Sequence, residues 1–157
     1  MKLTLAVAGR LRAGPEKDLG DDYIARAAKL GHGLGFAPLE LREFTLRGMA
    51  TRAEMTAMVM DALAPGTMRL VLDERGQDMS SKDFAQMLAR LRDDGASHAA
   101  VLVGGADGWA APMRQGAAAV LRFGRWTWPH RLVRAMAAEQ IYRALSILAG
   151  APYHREN

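Results

Sequence analysis

The sequence contains no cysteine, which excludes disulfides and thiolate chemistry. Its four histidines are scattered without metal-ligand spacing, so no zinc signature is present and no metal is expected. No apolar run reaches the roughly 18 residues that a membrane-spanning helix needs. The chain also lacks Gly-Lys-Ser/Thr and Gly-x-Ser-x-Gly, which removes the P-loop and the hydrolase elbow from consideration. There is no repeat, linker or low-complexity tract. The start MKLTLAVAGRLRAG carries Arg10 and Arg12 where a signal peptide would have its small-residue cleavage site, so it reads as a first strand and the expected location is cytoplasmic.

What is there, 157 residues with 50% hydrophobic composition, fits a single domain over 1–157 with room for a full core. The net charge of +4 is unevenly placed: residues 1–100 hold 14 Lys/Arg against 14 Asp/Glu, and residues 101–157 hold 7 against 3. A basic last third points to an anionic partner, most plausibly nucleic acid.

Alternation places a strand at Lys2 to Ala8. Gly14-Pro15 then opens a helix with Leu19, Tyr23, Ala27 and Leu30 at helical spacing. Ala37, Leu39 and Leu41 alternate with Glu40 and Arg42 in a half-buried strand. Thr51 and Glu54 form a capping box before a helix whose face carries Met55, Met58, Val59, Ala62 and Leu63. Arg69 to Asp73 reads as a strand, with a loop running on through Gly76. The following helix is capped by Ser80-Ser81 and carries Phe84, Met87, Leu88 and Leu91 inward. A strand ends at Val103, a helix is expected over roughly 112–120, and the longest helix runs from Arg131 to Ala149 with a Glu139–Arg143 pair. Strands alternating with helices predict an α/β domain with a mainly parallel sheet flanked by helices.

The chemistry concentrates between Val101 and His130. There an apolar strand ends in Gly104-Gly105, Gly108 follows, and Phe123-Gly124-Arg125-Trp126-Thr127-Trp128 closes onto Pro129-His130. Paired glycines let main chain approach a ligand and supply positive φ cheaply. The loop fails the dinucleotide fingerprint in spacing and in place, since it follows a late strand and no acid stands about 20 residues on. A pocket of main-chain groups and aromatic faces suits a purine with a sulfonium tail.

Several co-linear motifs carry a family resemblance: Leu72-Asp73-x-x-Gly76 with Ser80-Ser81; Val103-Gly104-Gly105-x-x-Gly108; Trp126-Thr127-x-Pro129-His130 with Leu132-x-Arg134; Glu139-Gln140-x-Tyr142-Arg143-Ala144; and Tyr153-His154-Arg155. Together they resemble the ribosomal RNA large subunit methyltransferase H family of the SPOUT superfamily. The resemblance implies a C-terminal trefoil knot, a homodimer, and S-adenosylmethionine as methyl donor. It also implies methylation of N3 of a pseudouridine in a 23S rRNA stem-loop on the assembled ribosome. Cofactor contacts are then expected at Leu72, Gly104, Phe123, Gly124, Arg125, Trp126, Thr127 and Trp128. Tyr153, His154 and Arg155 are expected to face the RNA and the transferring methyl as the catalytic residues, with His154 and Arg155 taking the imide proton and stabilising the anion, whereas His130, His32 and His98 are expected to be structural. The family usually has Ser at the place of Gly124, which leaves a main-chain contact there. Two other functions remain open on the sequence: a SPOUT enzyme acting on transfer RNA, and a catalytically silent RNA-binding or ribosome-assembly protein.

Overall fold

The computed structural model describes residues 1–45 and 51–154. In chain order the elements are β1 (Lys2–Ala8), α1 (Pro15–Gly33), β2 (Leu39–Phe44), α2 (Arg52–Ala62), β3 (Met68–Asp78), α3 (Ser81–Asp93), β4 (His98–Val103), α4 (Ala111–Arg114), β5 (Ala119–Arg122) and α5 (His130–Leu148). The five strands form one sheet in the order β2-β1-β4-β3-β5, and every pairing is parallel.

The pleat divides the core in two. Leu3, Leu5, Val7, Leu70, Val101 and Val103 face α1, α3 and α5, where they meet Ala27, Phe84, Leu88, Ala137, Ile141 and Leu145. On the other face Ala6, Ala8, Val71, Ala100 and Leu102 pack against Val59 of α2, Met113 of α4 and Trp109. β4 is buried along its whole length, as expected for a central parallel strand covered on both faces. Each buried Leu or Val contributes roughly 1.5–3 kcal/mol, so a one-residue slip that exchanged the faces would cost far more than any loop could return.

The expected helix starts are present. Thr51 accepts from the Glu54 amide while Glu54 Oε2 accepts from Thr51 N, and Ser80 Oγ accepts from the Asp83 amide. Three expectations need correction. The segment expected as a helix over roughly 112–120 is a four-residue helix, a turn at Gly116 (φ 66°), and a fifth strand. There, pairing of Ala119–Leu121 with Leu70–Leu72 overrides the local helical preference. The strand expected to end at Asp73 extends to Asp78. Leu19, expected on the inner stripe of α1, is 46% exposed, and the helix packs through Gly20, Ala27 and Gly31 instead.

His98, at the start of β4, is structural as expected. Thr67 donates its hydroxyl to the Ala64 carbonyl and so accepts from His98 Nδ1 at 2.9 Å. His98 Nε2 then accepts from Thr4 Oγ1, also at 2.9 Å. Burial pushes the imidazole below its ordinary pKa; Lys2 adds to this and Glu40 opposes it. The unfolded chain titrates near about 6.5, so the neutral folded form is fully favoured above that pH and loses its advantage as pH falls toward the depressed folded value. Urea midpoints are therefore expected to drop between about pH 7 and about pH 5. A His98→Asn variant should show a flatter profile; an equally steep one would remove His98 as the cause.

Candidate active site

A cavity of about 630 Å³ opens at the carboxyl ends of β3, β4 and β5, the edge where open parallel sheets bind ligands. Its walls come from three places in the chain: Leu72 to Arg75, Val103 to Trp109, and Arg122 to Trp128, with His130 and Val133 of α5 and Arg52 of α2 completing the rim.

The first wall exists because β3 leaves the sheet and returns. Leu121 of β5 is opposite Leu72 and again opposite Gln77, so residues 73–76 bulge away toward the cavity. Gly76 closes the excursion against the β5 main chain, where a Cβ would fall 2.4 Å from the carbonyl carbon of Leu121. Asp73 within the bulge is 5% exposed in its side chain. It accepts from Arg114 Nη1 at 2.7 Å and, through its other oxygen, from the Arg75 amide at 3.0 Å. Arg114 also donates to the Trp109 carbonyl at 3.1 Å, so one guanidinium ties the bulge to the glycine loop.

That loop is tight for a reason other than the one expected. Positive φ is found at Gly108 (68°), not at Gly104 or Gly105. Gly108 N donates to Gly105 O at 3.0 Å, and a Cβ on Gly104 would lie 3.0 Å from Gly108 Cα. Gly104 is therefore required by close approach of two main-chain segments. The loop leads into Trp109, which is 1% exposed, and the Ala110 amide donates to Thr56 Oγ1 at 3.0 Å. Trp109 was not anticipated from the sequence; its place directly before Ala110-Ala111-Pro112, two residues ahead of the helix start, was the available signal.

The third wall is the aromatic loop. Gly124 has φ 75°, a conformation a serine would adopt only with strain. Trp128 Nε1 donates to Phe123 O at 2.7 Å, closing the loop on itself. Trp126 is 79% exposed, with its ring centroid 6.1 Å from that of Trp128. Arg122 forms a two-point pair with Asp78 (3.1 and 2.8 Å), which holds the Asp78 carboxyl below its ordinary pKa. All eight residues expected to contact a cofactor, Leu72, Gly104 and 123–128, line this one cavity. His130, expected to be structural, lines it too.

Tyr153 and His154 lie elsewhere. The Tyr153 hydroxyl donates to Glu139 Oε1 at 3.0 Å and meets the Tyr23 hydroxyl at 3.1 Å, while its ring packs edge-on against Tyr142. Glu139 is nine positions along α5 from His130, or about 14 Å along the axis. Burial, then the bonds to Tyr23 and Glu139, push the Tyr153 phenol far above its ordinary value, so it stays neutral. His154 Nδ1 is 3.4 Å from Arg143 Nη1, a long contact in which the ring nitrogen can only accept. Arg155 lies outside the described residues. Among those described, no His/Cys/Asp/Glu cluster could hold a metal, and no helix is long and apolar enough to cross a membrane.

A family model described as "Predicted SPOUT methyltransferase" matches residues 1–154. Curated proteins named Ribosomal RNA large subunit methyltransferase H are similar over nearly their whole length. The one from Cereibacter sphaeroides is 51% identical over 158 residues, covering 99% of each chain, and that from Dinoroseobacter shibae is 50% identical over 155 residues with the same coverage. Among solved structures, a probable methyltransferase from Bordetella pertussis has a TM-score of 0.52 at 18% identity, covering 91% of this chain and 93% of its own. A probable methylase family protein from Haemophilus influenzae has a TM-score of 0.53 at 9% identity, covering 99% and 70%. These two likenesses bear on the fold alone. With a family match across the described fold and relatives at half identity over the same length, the chain belongs to the SPOUT methyltransferases, in the ribosomal RNA large subunit methyltransferase H family.

Proposed function

We propose that this protein transfers the methyl group of S-adenosylmethionine to N3 of a pseudouridine in a 23S rRNA stem-loop. The reaction takes place on the assembled ribosome in the cytoplasm, and the enzyme acts as a homodimer whose C-terminal part is threaded as a trefoil knot. The observation that carries the reading is the convergence of three sequence-distant motifs on one cavity at the carboxyl edge of the sheet.

The residues present fit that donor. The volume lies within the usual range for small-molecule sites. The walls offer main-chain N–H and C=O groups for a purine edge and the apolar faces of Leu72, Phe123 and Trp128 for its ring. Arg114 is paired with Asp73 and Arg122 with Asp78, so neither of these two guanidinium groups is free to clamp a phosphate. When bound, S-adenosylmethionine supplies a methyl already activated by its positive sulfur. The protein then has to orient the nucleophile, remove the imide proton and stabilise the charge left on the ring.

His130 stands on the cavity wall at the exposed first position of α5 and is the nearer proton acceptor. With Nδ1 accepting from Arg143, neutral His154 carries its proton on Nε2 and acts as a donor to the developing anion, together with Arg155. In a homodimer, the tail of one subunit is available to the cavity of the other. The exposed Arg125 lines the cavity and suits a phosphate backbone.

The test is transfer of labelled methyl to ribosomes from a strain lacking the gene, followed by mapping of the labelled nucleotide. Label on one pseudouridine of 23S rRNA is the expected result. Label on another RNA would move the substrate to that RNA, and neither label nor donor binding would indicate a silent RNA-binding protein. In the same assay His130→Ala and His154→Ala should each lower kcat by 100-fold or so, within the general acid–base range of about 10²–10⁴. An unchanged kcat in His130→Ala would return the proton to another group.

A further inference from the structure

All three tyrosines of the chain meet at one place, outside the cavity. Tyr23 comes from α1, Tyr142 from α5 and Tyr153 from the tail. Arg26 lies 4.7 Å over the Tyr23 ring and Arg143 lies 4.8 Å over that of Tyr153. At the centre is the Glu139 carboxylate, both of whose oxygens accept hydrogen bonds. Its Oε1 accepts from Tyr153 and from Arg143 Nε (2.8 Å), and its Oε2 accepts from Gln140 Nε2 (2.7 Å). Gln140 in turn accepts from Ser81 Oγ at 2.7 Å. Gln140 also borders a small cleft with Leu72, Arg122 and Phe123, three residues that line the main cavity. One chain of hydrogen bonds therefore runs from beside the cavity to the C-terminal tail.

The helix pair has little need of it. α1 and α5 pack closely where Gly20 faces Ala135 and Gly31 faces Leu145, all of them buried. The polar network sits at the half-buried margin, after Gly150 has ended α5, and what it fixes is the direction of residues 153–154. Tyr153 is anchored by its hydroxyl and ring, and its neighbour His154 is held against Arg143, the residue that sets its tautomer.

We propose that Tyr23, Glu139 and Gln140 are positioning residues for methyl transfer: they hold Tyr153, and through it present His154 to the substrate. This rests on the tail acting in the reaction as argued above. It goes beyond that in assigning a role to α1 and to the middle of α5, neither of which touches the cavity at these positions.

The test uses the full chain and ribosomes lacking the modification. Tyr23→Phe keeps size and packing and removes one partner of Tyr153, and Glu139→Gln keeps size while taking away the charge that Tyr153 and Arg143 share. Both are expected to lower kcat about tenfold, the consequence of losing one such hydrogen bond. S-adenosylmethionine affinity and thermal midpoint should stay near wild type, and release of the tail by carboxypeptidase should quicken. A structural role alone would move midpoint and donor affinity together with kcat, and that result would overturn the proposal. So would wild-type kcat and wild-type carboxypeptidase rates in both variants. Deletion of residues 153–157 separates the two levels. If it abolishes transfer while the point variants behave as wild type, only the positioning role falls; if it leaves transfer intact, the role of the tail falls with it.

Discussion

Gly76→Ala should destabilise the protein by about 3 kcal/mol, at the upper end of what overpacking by a single methyl costs. The added carbon would sit 2.4 Å from the carbonyl carbon of Leu121 and 2.6 Å from its nitrogen and oxygen. These are main-chain atoms, with no rotamer to yield. Nor can β5 move as a body, because Leu121 is opposite both Leu72 and Gln77 and so is held on each side of the bulge. Relief has to come from residues 73–76, of which 73–75 line the cavity. The substitution should therefore weaken donor binding in the fraction that still folds, measured by calorimetry beside urea denaturation. Near-wild-type values of both would mean that the bulge is soft and that its shape is not set by Gly76.

Arg134→Ala should be comparably damaging, about 3 kcal/mol, the lower figure for breaking a buried ion pair. Arg134 is 2% exposed and is held by Glu43, with Asp21 at 3.9 Å from Nη2; its Nε and Nη2 have no hydrogen-bond partner. Glu43, at the end of β2, also accepts from the Leu11 amide at 3.1 Å, so the pair joins α5 to the loop after β1. The lower figure applies because the Glu43 side chain is 22% exposed and water can answer part of its charge once the partner is gone. Arg134→Met with Glu43→Gln removes both charges, and it should recover most of the loss if the stranded carboxylate is the cause. A double variant no better than Arg134→Ala would assign the cost to lost packing.

The parts of this molecule that could be read in advance are those where local chemistry and tertiary structure agree. Thr51-x-x-Glu54, Ser80, Gly14-Pro15 and Gly150 mark helix ends because each satisfies or terminates backbone hydrogen bonds within a few residues. The cavity was legible for a different reason: its contacts recur as motifs at fixed intervals, and all eight expected positions converge on it. What stayed hidden depends on partners distant in sequence. Ala119 to Arg122 is a strand only because the edge of β3 accepts it, and residues 73–76 bulge only because β5 is opposite β3 twice. His130 is on the wall and Tyr153 off it because α5 starts at the cavity and runs away from it, a fact of helix direction that spacing does not reveal. Leu19 misled for the opposite reason, since helical periodicity fixes a face but not its width.

The strand order has one more implication, which concerns time. β4 lies between β1 and β3, yet it is made after both. As the chain leaves the ribosome, β1 and β2 can pair while β3 emerges with no adjacent strand to join. The two halves of the sheet remain separate until His98–Val103 arrives to bridge them. The binding cavity comes later still, because its walls draw on residues up to Val133. Synthesis of this protein thus passes through a long interval in which β3, with Leu70 and Val71, has no sheet to enter. A bound donor can stabilise only a chain that is nearly complete.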